Sequence, residues 1–476
     1  MRIFLVVSWL IIGFLATNLF FEPTKDVTAQ ESDDLKWQLK KMEEMMQKQQ
    51  GMIDNLKTKM EIQEEVSKSY VTSIDEREIG NKMEEYLQKA EGQGLLEKYL
   101  GPVEVGYKKG FYFRTRDDKF LMRMTGRIQM RYGYEDRDDE EDDSSFRLRR
   151  ARLKWDGHAY HDFKYKIELA LKSHSVKSSS VETSKVDDHK HTGSVSPKAV
   201  ELIDWWAEYA KYPFAKIRFG QWKVPFNRQR VVSSAKLQMI DRASSQDEFT
   251  MDRQIGTMVS GNLFGKKLEY YAGMFNGNGR NEKSNGNNEH LYIARASWNI
   301  FGDFGNGIGE QISDLAWSEK PKAHLSAAIA FDNAADETID LKRLGETTAK
   351  EVDRTSLVGE YGLKYKGFAT SAEFYWRKYD NIGGKSIIDR GFFVQGGYFL
   401  IPKHLEITGR YSLVDYDNRR EADAVREATA GINYFFAGQG KKLQFNFIRL
   451  DNEFPNSVST SDDIDYFYRL QFQLAF

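Results

Sequence analysis

The stretch that most constrains the fold is the last thirteen residues, which read IDYFYRLQFQLAF from Ile464 to Phe476. Every even-numbered side chain in it is apolar or aromatic, whereas the odd-numbered positions are mostly charged or amide residues. Since successive side chains of a strand point to opposite faces, this period of two produces one apolar face and one mostly polar face. A tilted strand of this length spans the hydrocarbon core of a bilayer. Membrane barrels and soluble β-sandwiches both contain such strands, so the rest of the chain decides between them.

The composition excludes several classes of protein. The 476 residues carry a net charge of −2, so no strong basic field indicates a nucleic-acid partner. Charged residues make up 29% of the chain, and the mean hydropathy is −0.62, which excludes a bundle of membrane helices. A membrane β-barrel remains compatible, because its interior and its loops are polar. The absence of cysteine excludes disulfides and thiolate sites.

From about residue 119 the period of two recurs in sixteen segments, which predict an all-β fold over 119–476. Its architecture is a 16-stranded antiparallel transmembrane β-barrel. The predicted strands are 119–134, 147–158, 161–173, 199–211, 214–221, 254–263, 267–276, 289–300, 321–331, 354–366, 367–380, 390–400, 404–416, 424–436, 441–452 and 464–476.

The connections between these strands favour the barrel over the sandwich. Tight turns alternate with long polar stretches, such as 135–143, 174–198 and 276–288. A barrel with an even number of strands has this alternation, because turns lie on one rim and loops on the other. The connection at 301–320 breaks the pattern, since its position requires a short turn. In a closed barrel, the last strand must also pair with the first, so Arg469 should face the same interior as Arg127.

The N-terminal residues 1–29 are predicted to be a secretory signal peptide. Arg2 precedes an apolar run from Ile3 to Ala16, and Val27-Thr28-Ala29 supplies small residues for cleavage. An uncleaved anchor helix is the alternative, although polar residues interrupt the apolar run before it reaches the length of a span.

Residues 30–70 are predicted to form an α-helical coiled coil in the periplasm. Leu35, Leu39, Met42 and Met46 open a heptad seam that continues to about residue 63. Such a seam implies partner chains, although a solvated helix packed on its own barrel is the alternative. Residues 71–118 are predicted to be a helical linker and lead-in, with a helix over 82–100.

Several short stretches resemble the phosphate-selective porin family of the porin O/P type. They are IRFGQWKVPF at 217–226, Ser233-Ser234, Ile240-Asp241-Arg242, DRQIG at 252–256, Ser260-Gly261 and the Arg-rich segment 147–171. The final aromatic residue, Phe476, also resembles the assembly signal of bacterial outer-membrane barrels. The resemblance implies a sixteen-stranded, trimeric outer-membrane channel. It further implies that the long loop after the fifth strand, here 222–253, folds into the lumen as a constriction.

Basic side chains on the polar faces of the first three strands predict a lumen that binds anions, because arginine and lysine lower the barrier for anions. The predicted pore-lining residues are Arg123, Arg127, Arg131, Arg150, Arg152, Lys154, Lys164 and Lys166. The predicted constriction loop carries Lys223, Arg228, Arg230, Lys236, Asp241, Arg242, Asp252 and Arg253. In the alternative interpretation, many of these cations pair with Glu168, Asp204 or Glu208 and only complete the wall.

Other motifs indicate no catalytic, metal or cofactor site. His189 and His191 lie in a polar loop without a third ligand, and His158 and His161 flank a tight turn as residues of the rim. No motif supports a nucleophile with its base, so the chain is not expected to be an enzyme. A barrel hydrolase remains a rival that would require an exposed Ser/His/carboxylate cluster.

The sequence therefore predicts an outer-membrane porin for passive diffusion of small hydrophilic solutes, with a preference for phosphate-like anions. The expected partners are outer-membrane lipid, small anionic or polar solutes, two further copies in a homotrimer, and the cell wall through the coiled coil. The alternative is a structural tether between the outer membrane and the cell wall that uses the barrel as an anchor.

Overall fold

The computed structural model describes most of the C-terminal three quarters of the chain. The described residues are 103–137, 142–171, 200–282, 285, 288–304, 307–335, 352–382, 385–416, 424–453 and 463–476. The chain divides into two compact units, Met1–Tyr99 and Leu100–Phe476. The first unit lies outside the described residues, and so do the predicted signal peptide, coiled coil and helix over 82–100.

Sixteen antiparallel strands, β3 to β18, form a closed barrel, and each corresponds to one of the predicted strands. Two shorter strands, β1 and β2, precede them. The bounds are β1 Val103–Tyr107, β2 Phe111–Thr115, β3 Phe120–Asp136, β4 Asp143–Ala159, β5 Phe163–Leu171, β6 Val200–Tyr212, β7 Ala215–Lys223, β8 Arg253–Leu263, β9 Leu268–Phe275, β10 Leu291–Phe301, β11 Lys322–Ala335, β12 Val352–Tyr365, β13 Phe368–Ile382, β14 Lys385–Ile401, β15 Leu405–Asp415, β16 Ala424–Ala437, β17 Lys441–Asn452 and β18 Asp463–Ala475.

The barrel closes where β18 pairs with β3, as the sequence predicts. The register runs from Tyr466 opposite Asp136 to Ala475 opposite Arg127. Just beyond it, the Gly126 N–H donates to the Phe476 carbonyl at 2.7 Å, and the Phe476 N–H donates to the Gly126 carbonyl at 3.0 Å. A Cβ atom on Gly126 would lie 2.3 Å from the Phe476 ring. A larger residue at this position would therefore push the Phe476 ring away from the place where it covers β3 at the seam.

The outer face of the barrel is apolar, because the strands alternate as their sequences require. On β18, Tyr468, Leu470 and Leu474 are exposed outward, while Gln471 and Gln473 are buried inward. Large aromatic side chains crowd the rim that carries the short turns, as at a membrane interface. Exposed examples on this turn rim are Phe120, Tyr160, Phe163, Tyr212, Phe214, Phe264, Phe301, Phe368, Tyr398 and Tyr434.

Strands β1 and β2 form a hairpin that the sequence pattern did not predict. This hairpin occupies 103–115, in the segment after the predicted helix that was expected only to lead into the barrel. β2 pairs with the start of β3, from Phe111 opposite Met124 to Arg114 opposite Leu121. It thus continues the sheet at the point where β18 has ended. Strands of five residues are too short to produce a clear alternation.

Two connections fold into the barrel interior. The β7–β8 connection, residues 224–252, contains the short helices α1 (Arg228–Val231) and α2 (Ser244–Phe249). The β10–β11 connection, residues 302–321, buries Ile312 and Ser313. No helix among the described residues is long and apolar enough to cross a membrane.

The β10–β11 connection is long because it packs inside the barrel rather than turning at the rim. The Ser313 hydroxyl donates to Glu406 on β15 at 3.1 Å, and the Lys364 ammonium on β12 donates to the Gln311 carbonyl at 2.5 Å. The Arg228 guanidinium of α1 donates to the Glu310 carbonyl at 3.2 Å. This inserted turn therefore supports the β7–β8 connection from the turn rim, which explains why 301–320 broke the predicted alternation.

Candidate functional site

Carboxylates of the barrel wall hold the first helix of the β7–β8 connection. The Arg228 N–H donates to Glu360 on β12 at 2.8 Å, and the Gln229 N–H donates to Glu373 on β13 at 2.6 Å. The residue at the helix N-cap, Asn227, makes no capping side-chain bond. The first N–H groups of a helix have no partner within the helix and carry partial positive charge. The wall carboxylates supply that missing partner.

The second helix is held in the same way. The Ser244 N–H donates to Glu427 on β16 at 2.8 Å, and the Ser245 N–H donates to the Ser412 hydroxyl on β15 at 3.1 Å. Its N-cap residue, Ala243, has no side chain that can cap. Hydrogen bonds to charged acceptors are stronger than neutral ones. Both helices are therefore fixed to the wall at their N-terminal ends.

The chain between the two helices lies along β14 to β18. The Gln238 amide donates to Glu406 at 2.7 Å, and the Lys442 ammonium donates to the Leu237 carbonyl at 3.0 Å. The Ile240 N–H donates to Asn446 at 2.8 Å. The connection thus fills the interior next to the C-terminal half of the barrel.

Among the described residues, an upper and a lower cavity lie in the interior, one on each side of this connection. The upper cavity, about 590 Å³, lies toward the long loops, and the lower cavity, about 520 Å³, lies toward the turn rim. The upper cavity is lined by six arginines, Arg131, Arg147, Arg149, Arg242, Arg410 and Arg469, and by three carboxylates, Asp241, Asp247 and Glu427. The lower cavity is lined by eight cations, Arg152, Lys164, Lys166, Lys216, Arg218, Lys223, Arg253 and Lys266, and by four carboxylates, Glu168, Asp204, Glu208 and Glu269. Positive charge exceeds negative charge in both.

A row of arginines on β3 and β4 runs from the upper cavity to the lower one. The register places Arg131 opposite Arg147, Gln129 opposite Arg150, and Arg127 opposite Arg152. Like charges directly opposite each other destabilise a sheet. This row therefore needs counter-charges, either from the protein or from a solute.

Protein carboxylates neutralise only some of these cations. The Arg127 guanidinium donates to the Ser233 hydroxyl, and that of Arg150 donates to the Gln129 amide, each at 3.2 Å. Among the described residues, no carboxylate lies within ion-pair distance of Arg127, Arg150, Lys164, Lys223 or Arg242. Lys223 and Arg242 instead donate to backbone carbonyls of α1 and of the residue that follows it.

Other predicted pore-lining cations are paired. Arg152 contacts Glu168 at 3.0 Å, and Lys166 contacts Glu168 at 2.7 Å and Asp204 at 2.5 Å. Arg123 and Lys154 both pair with Asp156. These residues fit the alternative interpretation, in which the cations pair with carboxylates of the barrel wall.

The remaining residues of the predicted constriction loop have several different partners. Arg230 contacts Asp252 at 2.7 Å and Asp247 at 3.2 Å, and Arg253 contacts Asp204 at 2.5 Å. Arg228 is buried, with its guanidinium 4.7 Å from the centre of the Phe304 ring. The partly buried Lys236 side chain makes no hydrogen bond or ion pair with the described residues.

Asp241 is the counter-ion of the upper cavity. Its carboxylate lies 2.7 Å from Arg131, 2.8 Å from Arg469 and 3.5 Å from Arg149. Burial tends to raise the pKa of this carboxyl, but Arg131 and Arg469 outweigh burial and hold the pKa well below its ordinary value of 3.8. A carboxyl with a depressed folded-state pKa stabilises the fold above its ordinary pKa. That contribution is lost only when the pH falls through the depressed value.

We therefore expect Asp241 to act as a counter-ion at pH 4 as well as at pH 7. The variant Asp241→Asn removes one negative charge beside three arginines, which shifts the reversal potential in a KCl gradient toward anions. The difference between the variant and the wild type should be the same at both pH values. A difference that disappears at pH 4 would show that Asp241 titrates near its ordinary pKa.

Arg147 and Arg149 were missed from the sequence because a β-bulge changes the alternation of β4. The register shifts between Gln129 and Met130, which face Arg150 and Leu148, so Arg149 has no partner on β3. Between the bulge and the turn rim the even-numbered side chains of β4 face the interior. Between the bulge and the long loops the odd-numbered side chains do. Phe146, outside the barrel, is 86% exposed. No signal in the sequence marks the extra residue.

The closed barrel with an infolded loop has known relatives. Residues 122–476 match the family described as Phosphate-selective porin O and P. The chain belongs to this family. It is therefore an outer-membrane channel protein rather than an enzyme, and its barrel lies in the bacterial outer membrane.

Solved porin structures share the fold. An anion-selective porin from Comamonas acidovorans is 11% identical, with a TM-score of 0.50 over 75% of this porin and 99% of that chain. OmpF of Salmonella typhi, solved with daunomycin, is 12% identical, with a TM-score of 0.50 over 78% of this porin and 100% of that chain. Comparison with curated protein sequences gives no match.

Proposed function

We propose that this porin passes small hydrophilic solutes by passive diffusion and prefers anions of the phosphate type. The observation that carries the proposal is the set of cations without carboxylate partners among the described residues. Arg242 and Lys223 line one cavity each, Arg150 belongs to β4, which lines both cavities, and Arg127 belongs to β3, which lines the upper one.

An anion entering the upper cavity meets Arg147 and Arg149 first and then the row on β3 and β4. Guanidinium groups suit phosphate because they donate two parallel hydrogen bonds in one plane. Carboxylates such as Asp241 keep part of the positive charge paired. A solute is therefore attracted without being held too tightly to leave, which conduction requires.

The β7–β8 connection supports a second part of the proposal, that 222–253 forms the constriction. It lies between the two cavities and contributes Asp241 and Arg242 to the upper one and Lys223 and Arg253 to the lower one. Its fixed attachment to the wall favours a permanent narrowing over a mobile gate.

The decisive experiment is the reversal potential of the wild-type channel in a planar bilayer under a KCl gradient. We expect the sign that corresponds to chloride permeating more readily than potassium. Added phosphate should reduce the chloride current, because both anions compete for the same cations. A cation-selective reversal potential would refute the proposal.

We also propose that the porin is a homotrimer with a signal peptide over 1–29 and a periplasmic coiled coil over 30–70. The heptad seam and the trimeric architecture implied by the family resemblance support this. Deletion of 30–70 should leave single-channel conductance intact but lower the stability of the trimer on semi-native gels. Loss of conductance in the protein that lacks 30–70 would instead favour a structural tether between the outer membrane and the cell wall, in which the barrel is only an anchor.

A further inference from the structure

Two turns on the turn rim bring three potential metal ligands together. Asp118 lies in the turn between β2 and β3, His158 lies near the end of β4, and His161 lies in the turn between β4 and β5. One ligand atom from each residue lies within 4.8 Å of the other two. Asp118 is separated by 40 residues from His158, so only the fold reveals the set.

The geometry of this cluster is compact and open to solvent. The His158 Nε2 atom lies 3.7 Å from the Asp118 carboxylate and 2.7 Å from the Asp118 backbone carbonyl. The two imidazole rings stack, with 6.3 Å between their centroids and 23° between their planes. Asp118 and His161 are exposed and His158 is partly buried.

The other charged groups nearby are already engaged, which leaves the three ligand residues to one another. In the same turn, Lys119 pairs with Asp117 at 2.8 Å. In the next turn, Asp162 faces Lys211 at 3.9 Å. Among the described residues, the Asp118 carboxylate has only His158 as an ion-pair partner.

We propose that Asp118, His158 and His161 bind a divalent transition metal, with Zn²⁺ as the representative ion. Imidazole nitrogen and carboxylate oxygen are zinc ligands, with ligand–metal distances of about 2.0–2.2 Å. Ligand atoms bound to one tetrahedral ion are roughly 3.3–3.5 Å apart on that basis. Small rotations of exposed side chains reach this spacing, and water completes the coordination.

Such an ion would add a link between two turns that already meet through His158 and Asp118 and through the Phe120 and Tyr160 rings. One further link is the His161 N–H, which donates to the Lys119 carbonyl at 3.4 Å. A bound ion would therefore hold the β2–β3 turn, and with it the β1–β2 hairpin, against the barrel rim. The three residues line neither interior cavity, so metal binding is independent of permeation.

Calorimetric titration of the EDTA-treated, full-length protein in detergent micelles with ZnCl₂ tests the proposal. The titrated protein should carry H174A, H189A and H191A, which remove the histidines of the 172–199 connection. We expect one ion per chain. In this background, H158A/H161A and D118N should each weaken binding at least tenfold, whereas H290A, which removes a histidine elsewhere on the barrel, should leave it unchanged. Unchanged affinity in H158A/H161A would overturn the proposal.

Limited trypsin digestion supplies a second measurement that does not depend on affinity. Zn²⁺ should slow cleavage after Arg116 and Lys119 several-fold in the wild type and not in H161A. Because His161 lies in an exposed turn, H161A should retain the heat-modifiable gel mobility of a folded barrel. Equal cleavage with and without Zn²⁺ in the wild type would contradict the proposed metal link between the two turns.

Discussion

Replacing Arg127, Arg150 and Arg242 together by glutamine should abolish the preference of the channel for anions. These three guanidinium groups lie at or between the two cavities, and none has a carboxylate partner among the described residues. One charge acting across 4 Å contributes about 1 kcal/mol in bulk water and about 4 kcal/mol at an effective dielectric constant of 20. Because about 1.4 kcal/mol corresponds to a factor of ten, the ratio of chloride to potassium permeability should fall by at least about tenfold.

A matched control separates local charge from net charge. Lys108, Lys109 and Arg116 are three exposed cations of the β1–β2 hairpin and its neighbouring turn, away from both cavities. Their joint replacement by glutamine changes the net charge equally and should leave the reversal potential unchanged. If the Arg127/Arg150/Arg242 variant folds and keeps the wild-type reversal potential, the arginine row does not line the path.

Replacing Glu373 and Glu427 by glutamine should weaken the attachment of the β7–β8 connection to the wall. Each carboxylate accepts an N–H from the start of one short helix. A neutral hydrogen bond contributes roughly 0.5–1.5 kcal/mol and one to a charged group roughly 1.5–3 kcal/mol, so weaker acceptors at both positions should cost about 1–3 kcal/mol of attachment. We expect a higher and noisier single-channel conductance, together with passage of larger polyethylene glycols.

The control for this variant replaces two other interior glutamates by glutamine without touching the connection. Glu208 pairs with Arg218 on the neighbouring strand, and Glu269 accepts from Tyr271. The Glu208→Gln/Glu269→Gln variant should change ion selectivity but keep the wild-type size limit. An unchanged size limit in Glu373→Gln/Glu427→Gln would mean that the connection does not narrow the channel.

The barrel could be predicted from the sequence because each wall strand separates lipid from water. That requirement imposes a period of two on every strand from β3 to β18, and it left all sixteen recognisable. The β1–β2 hairpin lies where the constraint is weak, and each of its strands has only five residues. Local alternation of apolar and polar residues therefore predicts the wall strands but not the β1–β2 hairpin.

The contacts that shape the interior could not be predicted from local patterns. Arg228 reaches a carboxylate 132 residues away, and Ile240 reaches an amide 206 residues away. Which cations remain unpaired depends on the same long-range placement. Arg152 and Arg127 occupy equivalent positions in the sequence pattern, yet of the two only Arg152 forms an ion pair with Glu168.

The bulge at Arg149 makes the interior chemistry sensitive to chain length as well as to residue type. Loss of that one residue would place Leu148 directly next to Arg150 and restore the regular register, with Leu148 still toward lipid and Arg147 still toward the interior. A one-codon deletion at this position therefore removes one arginine from the lining of the upper cavity and leaves the two faces of the rest of the strand unchanged. Alignments of homologues that ignore the gap at this position would assign the two faces of the strand the wrong way round.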